Sequence, residues 1–323
     1  MVQCVTGEKV GEVEEIEFEI IIGRPLTVDG RPMYKFRLSV NQKIMPLTIE
    51  DVSIFADGLD HPECIAVHPD GSVWAGGEAG QIYKVSADGS KVEEINNTNG
   101  FILGIAFSPD ASWLAACDLK NKCVWKLDLK TNKLTKFATG ADGIAFNIPN
   151  YCSFTKSGKL FVSESGAFRQ VTGKIFCYDA EGNGVIWHHG PFNFANGLAI
   201  SANEDWLYVV CTWLPGVERI AINADGSAGK REVFCTLPQT CPDGIAFDSD
   251  ENLYVSCYTP NSIYKVTPQQ ETTLLIDDWE AHTLSNPTNI AFRGNELFTA
   301  NLGRWHISKI NVPATGLKLP CHY

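Results

Sequence analysis

Short apolar segments recur along the chain at a near-constant interval, each opening on one variable residue and ending in a turn. They are Glu63-Cys64-Ile65-Ala66-Val67, Leu103-Gly104-Ile105-Ala106-Phe107, Asn150-Tyr151-Cys152-Ser153-Phe154, Asn196-Gly197-Leu198-Ala199-Ile200, Asp243-Gly244-Ile245-Ala246-Phe247 and Thr288-Asn289-Ile290-Ala291-Phe292. Their first residues lie 40, 47, 46, 47 and 45 positions apart, which makes six units. Turn residues such as His68-Pro69-Asp70-Gly71 follow, then a segment carrying an aromatic (Trp74, Trp113, Phe161, Tyr208, Tyr254, Phe298), then a third alternating segment such as Ser262-Ile263-Tyr264-Lys265-Val266. No helical period is present, and two-residue alternation between Gly, Asp and Pro turns predicts short antiparallel strands. Four strands in 40 to 50 residues is the period of a propeller blade, so the expected fold is all-β, a six-bladed β-propeller.

The sixth unit runs out near Asn311 after three strands, while a lone strand, Val52-Ser53-Ile54-Phe55-Ala56, precedes the first. That strand is expected to complete the last blade and remove its open edge. Further upstream, Glu15-Ile16-Glu17-Phe18-Glu19-Ile20 and Tyr34-Lys35-Phe36-Arg37-Leu38 alternate with opposite charges across a turn at Val28-Asp29-Gly30. They read as an appended β-hairpin. The expected division is an N-terminal extension over 1–49 and the propeller over 50–323.

Composition narrows the function classes. A net charge of −12 without a basic stripe argues against a nucleic-acid partner. No apolar run is long enough to span a membrane, and the start lacks a basic segment followed by an apolar one. The eleven cysteines sit in strand-like apolar contexts without a CxxC pair, as reduced, buried thiols do. The reading is therefore a cytoplasmic protein; in an oxidising compartment Cys235 and Cys241, or Cys117 and Cys123, could pair.

The first residues of the units form a column: Glu63, Leu103, Asn150, Asn196, Asp243, Thr288. Radial repetition places all six near one end of the central channel. Two carboxylates and two amide oxygens converging there repel or go unpaired unless a cation neutralises them. Oxygen donors without His or Cys select a hard ion: Ca²⁺ first, with Mg²⁺, Mn²⁺ or Zn²⁺ as alternatives. A wet channel lined by polar strand starts is the competing account, but Leu103 shows that the position tolerates an apolar residue.

With Pro62-Glu63, Pro149-Asn150, Ala195-Asn196-Gly197-Leu198-Ala199 and Pro242-Asp243-Gly244-Ile245-Ala246, residues 50–311 resemble a family of six-bladed propellers. It includes gluconolactonases, senescence marker proteins, luciferin-regenerating enzymes and diisopropyl-fluorophosphatase. The resemblance implies a divalent cation, usually calcium, held by Glu63, Asn196 and Asp243, with Asn150 as ligand or substrate contact. Cys64 and Tyr151 stand where glycine and aspartate are common, and Ile148 where some sugar-lactone hydrolases carry arginine. These changes disfavour a sugar-acid substrate.

The expected activity is metal-dependent opening of a cyclic ester, with calcium polarising the carbonyl and Asp243 acting as base or nucleophile. Phe101, Phe168, Trp213, Tyr258, Trp305 and His306 lie just before or after strands at the expected channel mouth and are candidate substrate contacts with Asn150. Such a lining favours a fairly apolar lactone as the small-molecule partner. Alternatives are hydrolysis of organophosphates or aryl esters on the same site, a non-catalytic ligand-binding propeller with a structural metal, and a lyase or condensing activity.

Overall fold

The computed structural model describes Gln3–Cys4, Phe18–Glu19 and residues 47–323. The chain forms two compact units, Met1–Pro46 and Leu47–Tyr323. In the first, Gln3–Cys4 pairs antiparallel with Phe18–Glu19. The remainder of the expected hairpin, with its second arm Tyr34–Leu38, lies outside the described residues.

The second unit is the six-bladed β-propeller, built from four-stranded antiparallel sheets. The innermost strands are Cys64–Val67, Ile102–Phe107, Pro149–Phe154, Ala195–Ile200, Cys241–Phe247 and Pro287–Arg293, one per repeat unit. Each blade adds three strands outward in chain order, except the sixth, whose outer strand is Val52–Asp57 paired with His306–Asn311. Ser53 thus meets Lys309 across 256 residues of sequence, and the N-terminal strand closes the ring by supplying the sixth blade's outer strand. Among the described residues there is no α-helix, and none of their helical segments is long and apolar enough to cross a membrane.

The repeated aromatics pack the blades against one another. Trp74 meets Phe107, Trp113 meets Phe154, Tyr208 meets Phe247 and Tyr254 meets Phe292, edge-to-face at 5.6, 5.0, 4.9 and 5.0 Å. In each pair the second strand of one blade contributes one ring and the end of the next blade's inner strand the other. Such pairs add about 0.5–1.5 kcal/mol each beyond their burial. Strands alternating between two buried faces therefore account for the inner-strand pattern of near-continuous apolar residues.

At the ends where the inner strands finish, the C-terminal segment crosses the ring. The Leu317 amide donates to the Phe247 carbonyl at 2.9 Å, Gly316 bridges Asp248, His322 Nε2 lies 3.1 Å from the Val67 carbonyl, and Cys321 is buried. Beneath it is a cavity of about 100 Å³, lined by Ile65, Ile105, Leu198, Ile245 and Ile290 among others. The ten cysteines from Cys64 to Cys321 are free thiols. Burial pushes those of Cys123 and Cys257 up to about 12, leaving them without thiolate at neutral pH.

Candidate metal and substrate site

The column residues sit at the other end, where the inner strands begin. In five blades the ladder between first and second strands is irregular there: the register shifts between Ile102 and Gly104, Pro149 and Cys152, Ala195 and Leu198, Pro242 and Ile245, and Pro287 and Ile290. A bulge frees the column residue from regular pairing and re-aims its side chain. The first blade pairs regularly from Cys64 onward, just after Glu63.

Hydroxyl groups hold this irregular backbone. Ser163 donates to the Asn196 carbonyl at 2.7 Å and Ser256 donates to the Thr288 carbonyl, each reaching from one blade to the next. Thr212 accepts from the Asn196 amide at 3.2 Å and donates to the Pro242 carbonyl at 2.9 Å. Thr288 closes the circuit by donating to the Glu63 carbonyl at 2.6 Å. All of these bonds but the one between Asn196 and Thr212, which lies within the fourth blade, tie a column residue or its immediate neighbour across a blade interface.

Glu63, Asn150, Asn196 and Asp243 are 7, 4, 3 and 7% exposed, so their polar groups are removed from bulk water. Glu63 Oε2, Asn196 Oδ1 and Asp243 Oδ1 are buried without any hydrogen-bond partner. Burial raises the Glu63 carboxyl well above the ordinary range, and the charges of Asp243 and Glu78 add to it. Burial likewise raises Asp243, with the Asn196 amide partly offsetting it. No cationic side chain among the described residues compensates either. Leaving such groups unpaired is costly, and a hard divalent cation fits a set of two carboxylates and amide oxygens. No three His, Cys, Asp or Glu side chains cluster as a metal site among the described residues; the column contains only two carboxylates.

The loops at this end carry the expected aromatics. Phe168, Tyr258 and Trp305 are exposed, while Phe101 and Trp213 are half-buried. Phe168, Phe194 and Trp213 form a cluster with ring centroids 5.7 to 6.1 Å apart, and the Arg169 guanidinium lies 5.5 Å from the Phe168 ring. Tyr258 is near enough to the column that, after burial, the charges of Glu63 and Asp243 raise its phenol. Trp305 packs on His61 at 5.2 Å, and His61 Nδ1 lies 3.0 Å from Asp60. His306 differs from expectation: it is buried in the third strand of its blade, and its Nε2 lies 3.0 Å from the Thr283 carbonyl, so that nitrogen is already occupied.

Two carboxylates hold the loops that enter the column. Asp118 accepts from the Phe101 amide at 3.2 Å, the Asn121 amide at 2.9 Å and the Trp125 indole at 2.9 Å. Glu164 accepts from the amides of Asn147, Ile148 and Gly166 at 2.9 to 3.1 Å. Both end the second strand of their blade, Trp113–Asp118 and Leu160–Glu164, and this shared position is the signal that the sequence carries. Ser163 and Ser256 escaped it, although they too occupy one repeated position.

The profile of the SMP-30/Gluconolactonase/LRE-like region matches residues 124–301, more than half of the chain. The chain belongs to this family. A second profile, strictosidine synthase-like N-terminal, matches residues 50–85. Among curated relatives of this SMP-30/gluconolactonase-like chain is the adipocyte plasma membrane-associated protein Hemomucin of Drosophila melanogaster. It is 26% identical over 217 residues, 58% of this chain and 37% of that protein. Lactonase drp35 of Staphylococcus epidermidis is 25% identical over 225 residues, covering 67% of this chain and 56% of the relative. The family member therefore spans about half the length, or less, of these proteins. Among solved structures, the calcium-binding protein regucalcin from Agrobacterium tumefaciens shares the fold with a TM-score of 0.69 at 16% identity, over 83% of this chain and 95% of that one.

Proposed function

We propose that this chain is a lactonase, a hydrolase that opens cyclic esters, working through a divalent cation at the axial oxygen cluster, calcium foremost. The observation that carries the reading is the set of buried, partnerless oxygens on Glu63, Asn196 and Asp243, with no cationic side chain among the described residues to neutralise the two carboxylates. Lactonase drp35 and the family's gluconolactonases support the reaction class, and regucalcin supports calcium.

In this reading Glu63, Asn196 and Asp243 hold the ion, and Asn150 binds it or the substrate carbonyl. Bound there, a divalent cation supplies Lewis-acid polarisation of the ester carbonyl and stabilises the negative charge that develops on its oxygen. Asp243 takes the proton of the attacking water and returns it to the ring oxygen as the acyl C–O bond breaks, giving a hydroxy acid. A dication bound beside Asp243 would keep its carboxyl ionised and so able to accept that proton. Phe101, Phe168, Trp213, Tyr258 and Trp305 provide apolar walls, which suits a lactone with an apolar substituent better than a polyol lactone.

A panel of aliphatic, aryl and sugar lactones followed by acid release tests the reading, with and without chelator. Turnover that vanishes on chelation and returns with calcium is expected. Full activity in an exhaustively metal-stripped sample, or none on any lactone, overturns it.

A further inference from the structure

The sixth blade departs from the others one residue beyond its column position. Thr288 occupies that position but uses its hydroxyl on the Glu63 carbonyl. Its neighbour Asn289 reaches across the axis: Nδ2 donates to the carbonyls of Glu63 at 2.9 Å and Leu103 at 3.4 Å, in the first and second blades. Both amide hydrogens are committed, so the side chain's orientation is fixed by two backbone acceptors. The oxygen at its other corner, Oδ1, is buried and has no partner, in a residue only 1% exposed.

The neighbouring blades make room for it. Glycines hold the equivalent position in the second, fourth and fifth blades, at Gly104, Gly197 and Gly244. A Cβ on Gly244 would come within 2.8 Å of Asn289 Oδ1, so the orphaned oxygen lies directly against the segment that carries Asp243. Asn289 is not among the residues lining the cavity at the opposite end. Asn289 Oδ1 is thus a further partnerless amide oxygen on an inner strand, as Asn196 Oδ1 is, in a side chain held on the Glu63 carbonyl and lying against the residue after Asp243. An amide oxygen withdrawn from water without a partner is costly, and glycine neighbours that accommodate it deepen the need for one.

We propose that Asn289 is a further oxygen donor to the cation of the axial site, one not visible in the column of first residues. The proposal rests on the metal reading above. It assigns the two ends of one amide to two tasks: Nδ2 joins the sixth blade to the first and second, and Oδ1 binds the ion.

Calcium titration calorimetry, together with terbium luminescence lifetimes in H₂O and D₂O, tests the assignment on wild type, Asn289→Ala and Thr288→Val. Thr288→Val removes a comparable tie to Glu63 while taking no unpaired oxygen from the axis. Asn289→Ala is expected to weaken calcium binding at least about tenfold and to add one water to bound terbium. Thr288→Val, which loosens the backbone beside Glu63 but removes no donor oxygen, is expected to weaken calcium binding less than Asn289→Ala does and to leave the terbium water number unchanged. Should the alanine form not fold, Asn289→Asp keeps an oxygen in place and adds a charge, and tighter calcium binding than wild type is expected. Wild-type affinity and water number in Asn289→Ala, or unimproved affinity in Asn289→Asp, overturn the proposal while leaving the site. A wild type that binds neither ion overturns the metal reading itself.

Discussion

The Ser163 hydroxyl of the third blade lies 2.7 Å from the carbonyl oxygen of Asn196 in the fourth. It also accepts from the Tyr151 amide at 3.0 Å, so one small side chain secures the backbone beside two column residues, Asn150 and Asn196. Ser163→Ala leaves the buried Asn196 carbonyl without this donor and is expected to destabilise the fold by about 1–3 kcal/mol in urea unfolding. Calcium affinity should fall with it. Ser163→Thr, which restores the hydroxyl, should recover affinity more than alanine does.

Glu63 and Asp243 are two buried carboxylates whose proximity raises the proton affinity of Glu63. In metal-free protein, Asp243→Asn or Glu63→Gln removes a buried charge at nearly constant volume. Each should leave the metal-free melting temperature unchanged or higher, a gain on the order of 1 kcal/mol. The upward shift that calcium gives the wild type should disappear. Differential scanning calorimetry with and without calcium reads both effects; a variant that melts lower without metal but keeps the calcium shift contradicts the site.

Asp118 gives a pH signature. Burial opposes its ionisation, but the hydrogen bonds from Asn121, Thr98 and Trp125 outweigh it and hold the carboxyl below the ordinary value of 3.8. With the folded pKa depressed, the unfolded state takes up the proton first as pH falls. Its stabilisation is complete above the unfolded value and lost as pH drops through the folded one. The stability gap between wild type and Asp118→Ala should therefore be constant from pH 5 to 8 and shrink below about pH 4. Denaturant midpoints across that range measure it; a gap that widens in acid contradicts the assignment.

Glu164 anchors three amides on the two sides of the loop leading to Asn150. Glu164→Gln keeps the size but replaces one acceptor oxygen with a donor facing backbone N–H groups. Weaker calcium or substrate binding is expected, with a loss of about 1–3 kcal/mol of stability. Comparison with Glu181→Gln, an exposed turn residue, separates this from a general effect of lost charge.

The aromatic mouth predicts substrate preference. Trp213→Ala and Tyr258→Ala should raise KM for lactones with apolar substituents by about tenfold while changing it little for unsubstituted rings, since burying a large side chain's worth of surface contributes about 1.5–3 kcal/mol. Equal changes for both substrate types would remove these residues from the binding wall.

Much of this was legible because a repeat repeats its exceptions as well as its rule. Six short apolar segments at a common spacing defined the inner strands, and the missing strand of the sixth unit pointed to Val52–Asp57. The polar column stood out because polar residues interrupt apolar strands at one register. Asn289 did not, because it stands one residue late, where the other blades carry glycine, cysteine or tyrosine. Its significance comes from contacts with Glu63 and Leu103, 226 and 186 residues away, which no local pattern encodes. His306 was a candidate through its place in Gly303-Arg304-Trp305-His306; no local pattern showed that its Nε2 lies against the Thr283 carbonyl, 23 residues away.

The pairing of Val52–Asp57 with His306–Asn311 also has a consequence for synthesis. On the ribosome the earlier strand emerges roughly a quarter of a minute or more before its mate at usual elongation speeds. Through that interval five blades can assemble while the sixth has no finished sheet. Maturation of the ring is therefore gated by its last-made strands, and a stalled nascent chain would present Val52–Asp57 as a lone sticky edge to chaperones.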